Sequence, residues 1–209
     1  MIVTERIEFN PLKPQPLMIV ISGLPGVGKD SVVKRMMQRV PSFHFVVTVN
    51  TRAPRPGEVN GVDYIFVSEQ EYFRMKEQGE LLESARVYNE FKGVPRKQVE
   101  AALDSGKDVV MRLDVQGAEV IKQLNPEALL IFLTTQSEEE MVRRLEKRQT
   151  ESGKNLKDRI DIARSELKRV GEFDFAVVNH EDRLEEAVDD VLSIIRSEHL
   201  RVHPRRVSL

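Results

Sequence analysis

The stretch Gly23-Leu24-Pro25-Gly26-Val27-Gly28-Lys29 stands between an apolar run and a segment with helical spacing. The G-x-x-x-x-G-K spacing lets backbone N–H groups converge on phosphate oxygens, and a helix N-terminus behind them adds partial positive charge. Gly23, Gly26, Val27 and Gly28 therefore form a candidate phosphate cradle, with Lys29 expected to reach the β- and γ-phosphates of a nucleotide. The next position ordinarily carries Ser or Thr, whose hydroxyl holds Mg²⁺. Here it is Asp30. A carboxylate there serves either as a hard oxygen ligand for Mg²⁺, direct or through water, or as a first-turn acid that favours the helix dipole. Ser31 offers a substitute hydroxyl, but on a different helical azimuth. A second cluster lies downstream in NTRAPRPGEVNGVDYIFV, where Arg52 and Arg55 flank a proline-stiffened turn and Tyr64 opens the next strand. Two guanidinium forks and a phenol on a rigid element suit a phosphate monoester.

These groups need elements to hold them. The apolar runs LMIVIS (17–22), DVVMRL (108–113), ALLIFL (128–133) and FAVVN (175–179) read as buried parallel strands, each followed by a polar stretch with helical spacing. FHFVVTV (43–49) is a fifth candidate. Alternating strands and helices predict an α/β, doubly wound sheet. Ligands bind such sheets beyond the carboxyl ends of the strands. Two stretches break the rhythm. Residues 50–95 hold turn signals, a short alternating strand (DYIFV) and a helix candidate (SEQEYFRMKEQG), and read as an inserted subdomain. RQTESGKNLKD (148–158) is polar, contains glycine and lies between charged helices, which reads as a mobile lid. The basic end HLRVHPRRVSL reads as the solvated end of a helix.

Composition sets the class. With 209 residues, the chain has room for one α/β domain with small insertions. Hydrophobic residues make up 40% and charged residues 32%, a soluble balance that argues against disorder. A formal net charge of −2 gives no electrostatic support to nucleic-acid binding. The absence of Cys removes disulfides, thiolate metal sites and thiol catalysis. No apolar run approaches the length of a membrane span. The first residues carry neither a signal h-region nor an Arg-rich amphipathic pattern. A cytoplasmic protein with no nucleic-acid or membrane partner is expected, as a monomer or small homo-oligomer.

From Leu17 to about Arg201 the sequence resembles a guanylate kinase. The family's acceptor motif T-R-x-P-R-x-G-E-x-x-G-x-D-Y is matched by Thr51, Arg52, Pro54, Arg55, Gly57, Glu58, Gly61, Asp63 and Tyr64. That resemblance implies a P-loop nucleoside monophosphate kinase fold, with a parallel central sheet, a GMP-binding insertion (50–95) and a lid (148–158). The core would then comprise 17–49, 96–147 and 159–200 of a single domain spanning 1–209. It implies phosphorylation of GMP to GDP by MgATP, with Mg²⁺ as cofactor. Arg52, Arg55 and Tyr64 would hold the GMP phosphate, and Thr48 falls where the family has a guanine-contacting Ser. ELLESARVYNEFKGVPR resembles the family's E-F-L-E-x-A…G-N-Y-Y-G-T/S stretch, so Glu83 would accept hydrogen bonds from guanine N1–H and N2–H. Adenine lacks that paired donor edge, and an unpaired buried carboxylate is costly, so Glu83 supports base selectivity. Arg148 and Arg159 match the lid arginines that reach the transferring phosphoryl group, and Arg144 lies one turn before Arg148. Asn179 resembles a residue lining the adenine pocket.

The chain departs from the family pattern at several positions. A phosphate-contacting Tyr is Lys92, whose cation serves the same purpose, and a Ser or Thr near guanine O6 is Val94. In MRLDVQGA, the family's D-x-D-x-Q-G becomes Arg112-Leu-Asp114-Val-Gln116-Gly117. Asp114 is kept as the acid near guanine and metal; the first Asp is Arg112. One acid is thus gained at Asp30 and one is lost at Arg112. Compensation follows: Asp30 takes over metal duty, or it pairs with Arg112. The combination resembles a guanylate kinase subgroup like the plant organellar enzymes. Two other functions compete. A ribose 1,5-bisphosphate phosphokinase also carries G-K-D-S, but has no need of the R-x-P-R-x-G-E motif or of a guanine-reading Glu. A guanylate-kinase-like scaffold module generally has a damaged phosphate loop, whereas Gly28-Lys29 is intact here.

Overall fold

The computed structural model describes residues 14–87, 90–147 and 156–209. The chain runs β1 (Met18–Gly23), α1 (Lys29–Arg39), β2 (His44–Phe45), β3 (Val49–Asn50), β4 (Ile65–Phe66), α2 (Glu69–Glu77), β5 (Leu81–Val87) and β6 (Glu90–Pro95). It continues with α3 (Arg96–Asp104), β7 (Val109–Arg112), α4 (Val115–Leu124), β8 (Leu129–Thr134), α5 (Glu138–Lys147), α6 (Leu156–Leu167), β9 (Phe175–Val178) and α7 (Leu184–His199). The main sheet has the order β2-β7-β1-β8-β9 and is parallel throughout.

β1 is buried along its whole length, which is why it reads as an unbroken apolar run rather than an alternating one. Its side chains still alternate between faces. Leu17, Ile19 and Ile21 pack with residues of α1, α5, α6 and α7, whereas Met18 and Val20 pack with residues of α3 and α4. Helices therefore cover both faces of the sheet, as the sequence predicts.

FHFVVTV does not form one strand. His44–Phe45 pairs with β7 at the edge of the main sheet, and Val49–Asn50 turns into a second sheet of order β4-β3-β6-β5. The run serves two sheets because its backbone leaves one ladder to enter the other. DYIFV contributes only Ile65–Phe66. The helix expected over SEQEYFRMKEQG spans Glu69–Glu77, with Ser68 as N-cap: its side chain accepts from Glu71 N–H. The second sheet has a small core of Val49, Tyr72 and Leu81. Leu82 and Val94, however, belong to the main core beside Val99 and Met111.

The basic end is not a free solvated tail. Arg205 is buried, its Nε donating to Glu198 of α7 at 2.8 Å, with Asp174 at 3.5 Å. Asn125 holds the Ser208 carbonyl at 3.1 Å. A guanidinium leaves water when carboxylates and carbonyls replace its hydration, and composition alone does not reveal such partners. The Glu198→Ala variant should lose stability near the lower end of the roughly 3–5 kcal/mol typical of breaking a buried pair, since Asp174 remains close. Urea unfolding of the two proteins measures the difference; equal midpoints would mean that the docked end contributes nothing.

Candidate active site

The phosphate loop leaves β1 at Gly23, where φ is 135° and an added Cβ would lie 2.0 Å from the Leu133 carbonyl oxygen. Only glycine fits so close to β8 in that conformation. Gly28, the left-handed N-cap of α1, sits where a Cβ would meet the Asn179 Nδ2 at 2.7 Å. The loop is braced from behind. The Val27 carbonyl accepts from Asn179 Nδ2 at 2.7 Å and from Arg144 at 3.0 Å, and Arg144 also donates to the Asn179 carbonyl at 2.7 Å and to Glu140. Arg144 and Asn179 are thus placed as supports of the loop and do not line the cleft in front of it. Lys29 donates to the Gly23 and Leu24 carbonyls at 2.6 and 3.0 Å, and burial pulls its pKa below the usual lysine value. Ser31 is exposed one step along α1.

Asp30 faces Arg112. The carboxylate lies 2.9 Å from the guanidinium, so the structure supplies the pairing arm of the compensation expected from the sequence. Arg112 also donates to the Asp63 carbonyl at 3.2 Å and stacks on Tyr64, 4.6 Å from the ring centroid. Among the described residues no group of three or more His, Cys, Asp or Glu is arranged to hold a metal. The donor set nevertheless fits a Mg²⁺ that arrives on a nucleotide, which needs only one or two carboxylates beside phosphates and water. Asp114 lines the cleft and commits one oxygen to capping α4, accepting from Gly117 N–H at 3.0 Å. Its second oxygen suits that role better than Asp30, whose charge Arg112 already balances.

The cleft runs from the loop to the second sheet. Gly26, Val27, Gly28, Lys29 and Asp30 line one wall; Thr48, Arg55, Tyr64, Glu83 and Lys92 line the other. Arg52 stands behind this wall. Its fork meets Glu58 through two 2.6 Å hydrogen bonds, and its Cζ lies 5.0 Å from the Tyr64 ring centroid. Glu58 therefore orients Arg52, and its carboxyl is held below the usual range by that hydrogen-bonded guanidinium. Val94 is fully buried in the main core, so that position faces packing and not the cleft.

Glu83 is the decisive group. It is 2% exposed, and its Oε1 has no hydrogen-bond partner in the structure. A Cβ at Gly117 would lie only 3.2 Å from that oxygen, so the glycine makes room for it. Burial pushes the Glu83 carboxyl up to about 8, Asp114 adds to the rise, and Lys92 opposes it. An orphaned buried acceptor on the cleft wall calls for a ligand that brings donors.

A family model described as guanylate kinase matches residues 15–198. The chain belongs to the guanylate kinase family. It is 48% identical over 197 residues to the protein named guanylate kinase 2, chloroplastic/mitochondrial, of Oryza sativa subsp. japonica, covering 94% of this chain and 69% of that one. It is 38% identical over 190 residues to a guanylate kinase of Oceanobacillus iheyensis, covering 91% of each. A crystal structure of guanylate kinase from Anaplasma phagocytophilum superposes with a TM-score of 0.76 at 30% identity, covering 91% of this chain and 89% of that one. The parallel sheet with flanking helices is accordingly the P-loop nucleoside monophosphate kinase fold.

Arg159, on α6, lines the cleft and donates to the Leu145 carbonyl at 3.3 Å. Arg148, and residues 148–155 of the segment expected as a lid, lie outside the described residues. Sequence reasoning missed Glu166, which also lines the cleft and whose carboxyl burial pushes up to about 7. Seven residues past Arg159, it falls about two helical turns along the same face, a spacing that could have revealed it. Among the described residues no helix is long and apolar enough to cross a membrane.

Glu83 makes stability pH-dependent. Its pKa is raised on folding, so the fold prefers the protonated form, and stability falls as pH rises from the ordinary 4.5 through about 8. Glu83→Gln should remove that component and make the profile of the ligand-free protein shallower over this window, leaving the part due to Glu166. Denaturant midpoints at stepped pH measure it; parallel profiles would show that the carboxyl does not bind its proton in the fold.

Proposed function

We propose that the protein transfers the γ-phosphoryl group of ATP to GMP, giving ADP and GDP. The observation that carries the reading is the unpartnered Glu83 oxygen on the wall of a cleft whose other wall is the phosphate loop. A guanine edge, with N1–H and N2–H side by side, supplies the donors this carboxylate lacks. Adenine presents no such pair there. Family membership supports the same donor and acceptor.

In this reading residues 50–95 hold GMP and the loop holds ATP, with 148–158 as the lid and 1–209 as a single domain. Arg55, Lys92 and Tyr64 bind the acceptor phosphate from the cleft wall, with Arg52 set in place by Glu58. Thr48 stands beside the base. Loop N–H groups and Lys29 cradle the donor phosphates, and Lys29 exchanges its carbonyl partners for phosphate oxygens. An acceptor phosphate oxygen attacks the γ-phosphorus as the bond to the β-phosphate oxygen breaks. That oxygen is already anionic, so no general base is required. Positioning and charge stabilisation do the rest. Arg159 and Arg148 supply positive charge from the lid side, while Arg144 and Asn179 hold the loop in shape. Asp114, together with the nucleotide, would hold Mg²⁺, which would offset charge on the donor phosphates. A cytoplasmic location, a monomeric or small homo-oligomeric state and the lack of nucleic-acid or membrane partners complete the proposal; cell fractionation and light scattering check the first two.

A coupled assay of ATP consumption should show GMP far ahead of AMP, CMP, UMP and ribose 1,5-bisphosphate, with activity lost in EDTA. Comparable rates on AMP or on the sugar bisphosphate would overturn the assignment. Glu83→Gln should weaken GMP recognition by roughly 1.5–3 kcal/mol, as for a lost hydrogen bond to a charged group. Lys29→Ala should lower kcat by about 100-fold or more, the scale of a lost charge stabiliser, while circular dichroism reports an intact fold. Full turnover in Lys29→Ala would remove it from the reaction.

A further inference from the structure

Asp30 belongs to the phosphate loop by sequence, yet its contacts lead away from the donor phosphates. Its carboxylate meets Arg112 at the end of β7. That guanidinium spans a junction: on the far side it donates to the Asp63 carbonyl and lies over the Tyr64 ring. Arg112 itself is anchored in the main sheet, where β7 pairs with β1 and Arg112 stands opposite Ile21. Asp63 and Tyr64 belong to the inserted segment, whose own core is small. Tyr64 thus carries Arg112 at 4.6 Å and Arg52 at 5.0 Å from its ring centroid.

We propose that Asp30 is a positioning residue for the acceptor nucleotide: it holds Arg112, and Arg112 holds the Asp63–Tyr64 segment against the cleft. A guanidinium is suited to this because its planar fork satisfies two acceptors while its face stacks on a ring. Lysine has the charge without the plane. With the carboxylate gone, Arg112 loses its one charged anchor on the loop side and is free to leave the ring, which loosens the phenol that faces the acceptor phosphate. The consequence crosses between sites: a residue of the donor loop tunes the acceptor site. The ordinary alternative is a half-exposed ion pair that contributes little to anything.

The inference rests on the insertion holding GMP, so the test measures GMP binding alone, by calorimetric titration in EDTA with no ATP. Wild-type protein should bind GMP. Asp30→Asn, which keeps the shape and removes the charge, should raise the Kd for GMP about 2- to 5-fold, equivalent to about 0.4–1 kcal/mol and within the range of a partly exposed pair. In an Arg112→Met background, Asp30→Asn should change nothing further, giving a non-additive cycle. Arg112→Lys, which leaves Asp30 a cation but lacks the fork, should weaken GMP as well; it keeps the test open should Asp30→Asn melt early. An unchanged Kd in Asp30→Asn, or the same factor in both backgrounds, overturns the proposal and returns Asp30 to the donor side. Wild-type protein that fails to bind GMP overturns the acceptor assignment instead.

Discussion

β1 can sit at the centre of the sheet only if its chain leaves through a gap against β8 that admits no side chain. Gly23 fills that position with its added Cβ excluded by the Leu133 carbonyl. The geometry of the phosphate loop follows from this exit. The loop that begins there turns back over the sheet, ends at a left-handed Gly28 and starts α1. It is then clamped through one carbonyl, that of Val27, by side chains from α5 and from the end of β9. A phosphate cradle must be stiff before its ligand arrives, since its donors are backbone groups that cannot adjust one at a time. Arg144 and Asn179 provide that stiffness from behind.

The acceptor side follows a different logic. Its sheet is small and depends on the main core through Leu82 and Val94, and Val94 is the partner of Glu83 across the β5–β6 ladder. The register of β5 shifts between Leu81 and Glu83, and at that irregular step the carboxylate joins the cleft wall, still shielded from water. The result is a group whose hydrogen-bonding capacity is deliberately unspent, with its proton affinity raised by burial. A site of this kind trades stability of the empty protein for discrimination among ligands. Gly117, Asp114 and Lys92 shape that trade by space and by charge.

Among the described residues, Lys29, Arg52 and Arg112 in and behind the cleft walls each have a nearby acid. Lys29 lies in the field of Glu166, Asp30 and Asp114, opposed by Lys92. Arg52 is neutralised by Glu58, and Arg112 by Asp30.

The chain by itself determined four strands of the main sheet, the loop and the candidates for phosphate contact, because each is a local pattern: an apolar run, a glycine spacing, a pair of arginines around a proline. Lys29, Arg55 and Tyr64 were legible in that way, and Glu83, Lys92 and Asp114 through the resemblance to guanylate kinases, as candidates for the cleft that they line. Tertiary structure alone brought Asp30 to Arg112, since that pairing depends on where the end of β7 lies relative to α1. It also moved Arg144 and Asn179 from the cleft to its support, occupied Arg52 with Glu58, split residues 43–49 between two sheets and buried Arg205. Each of these turns on a partner far away in sequence, and a local pattern records what a side chain can bond to but not which group will be within reach.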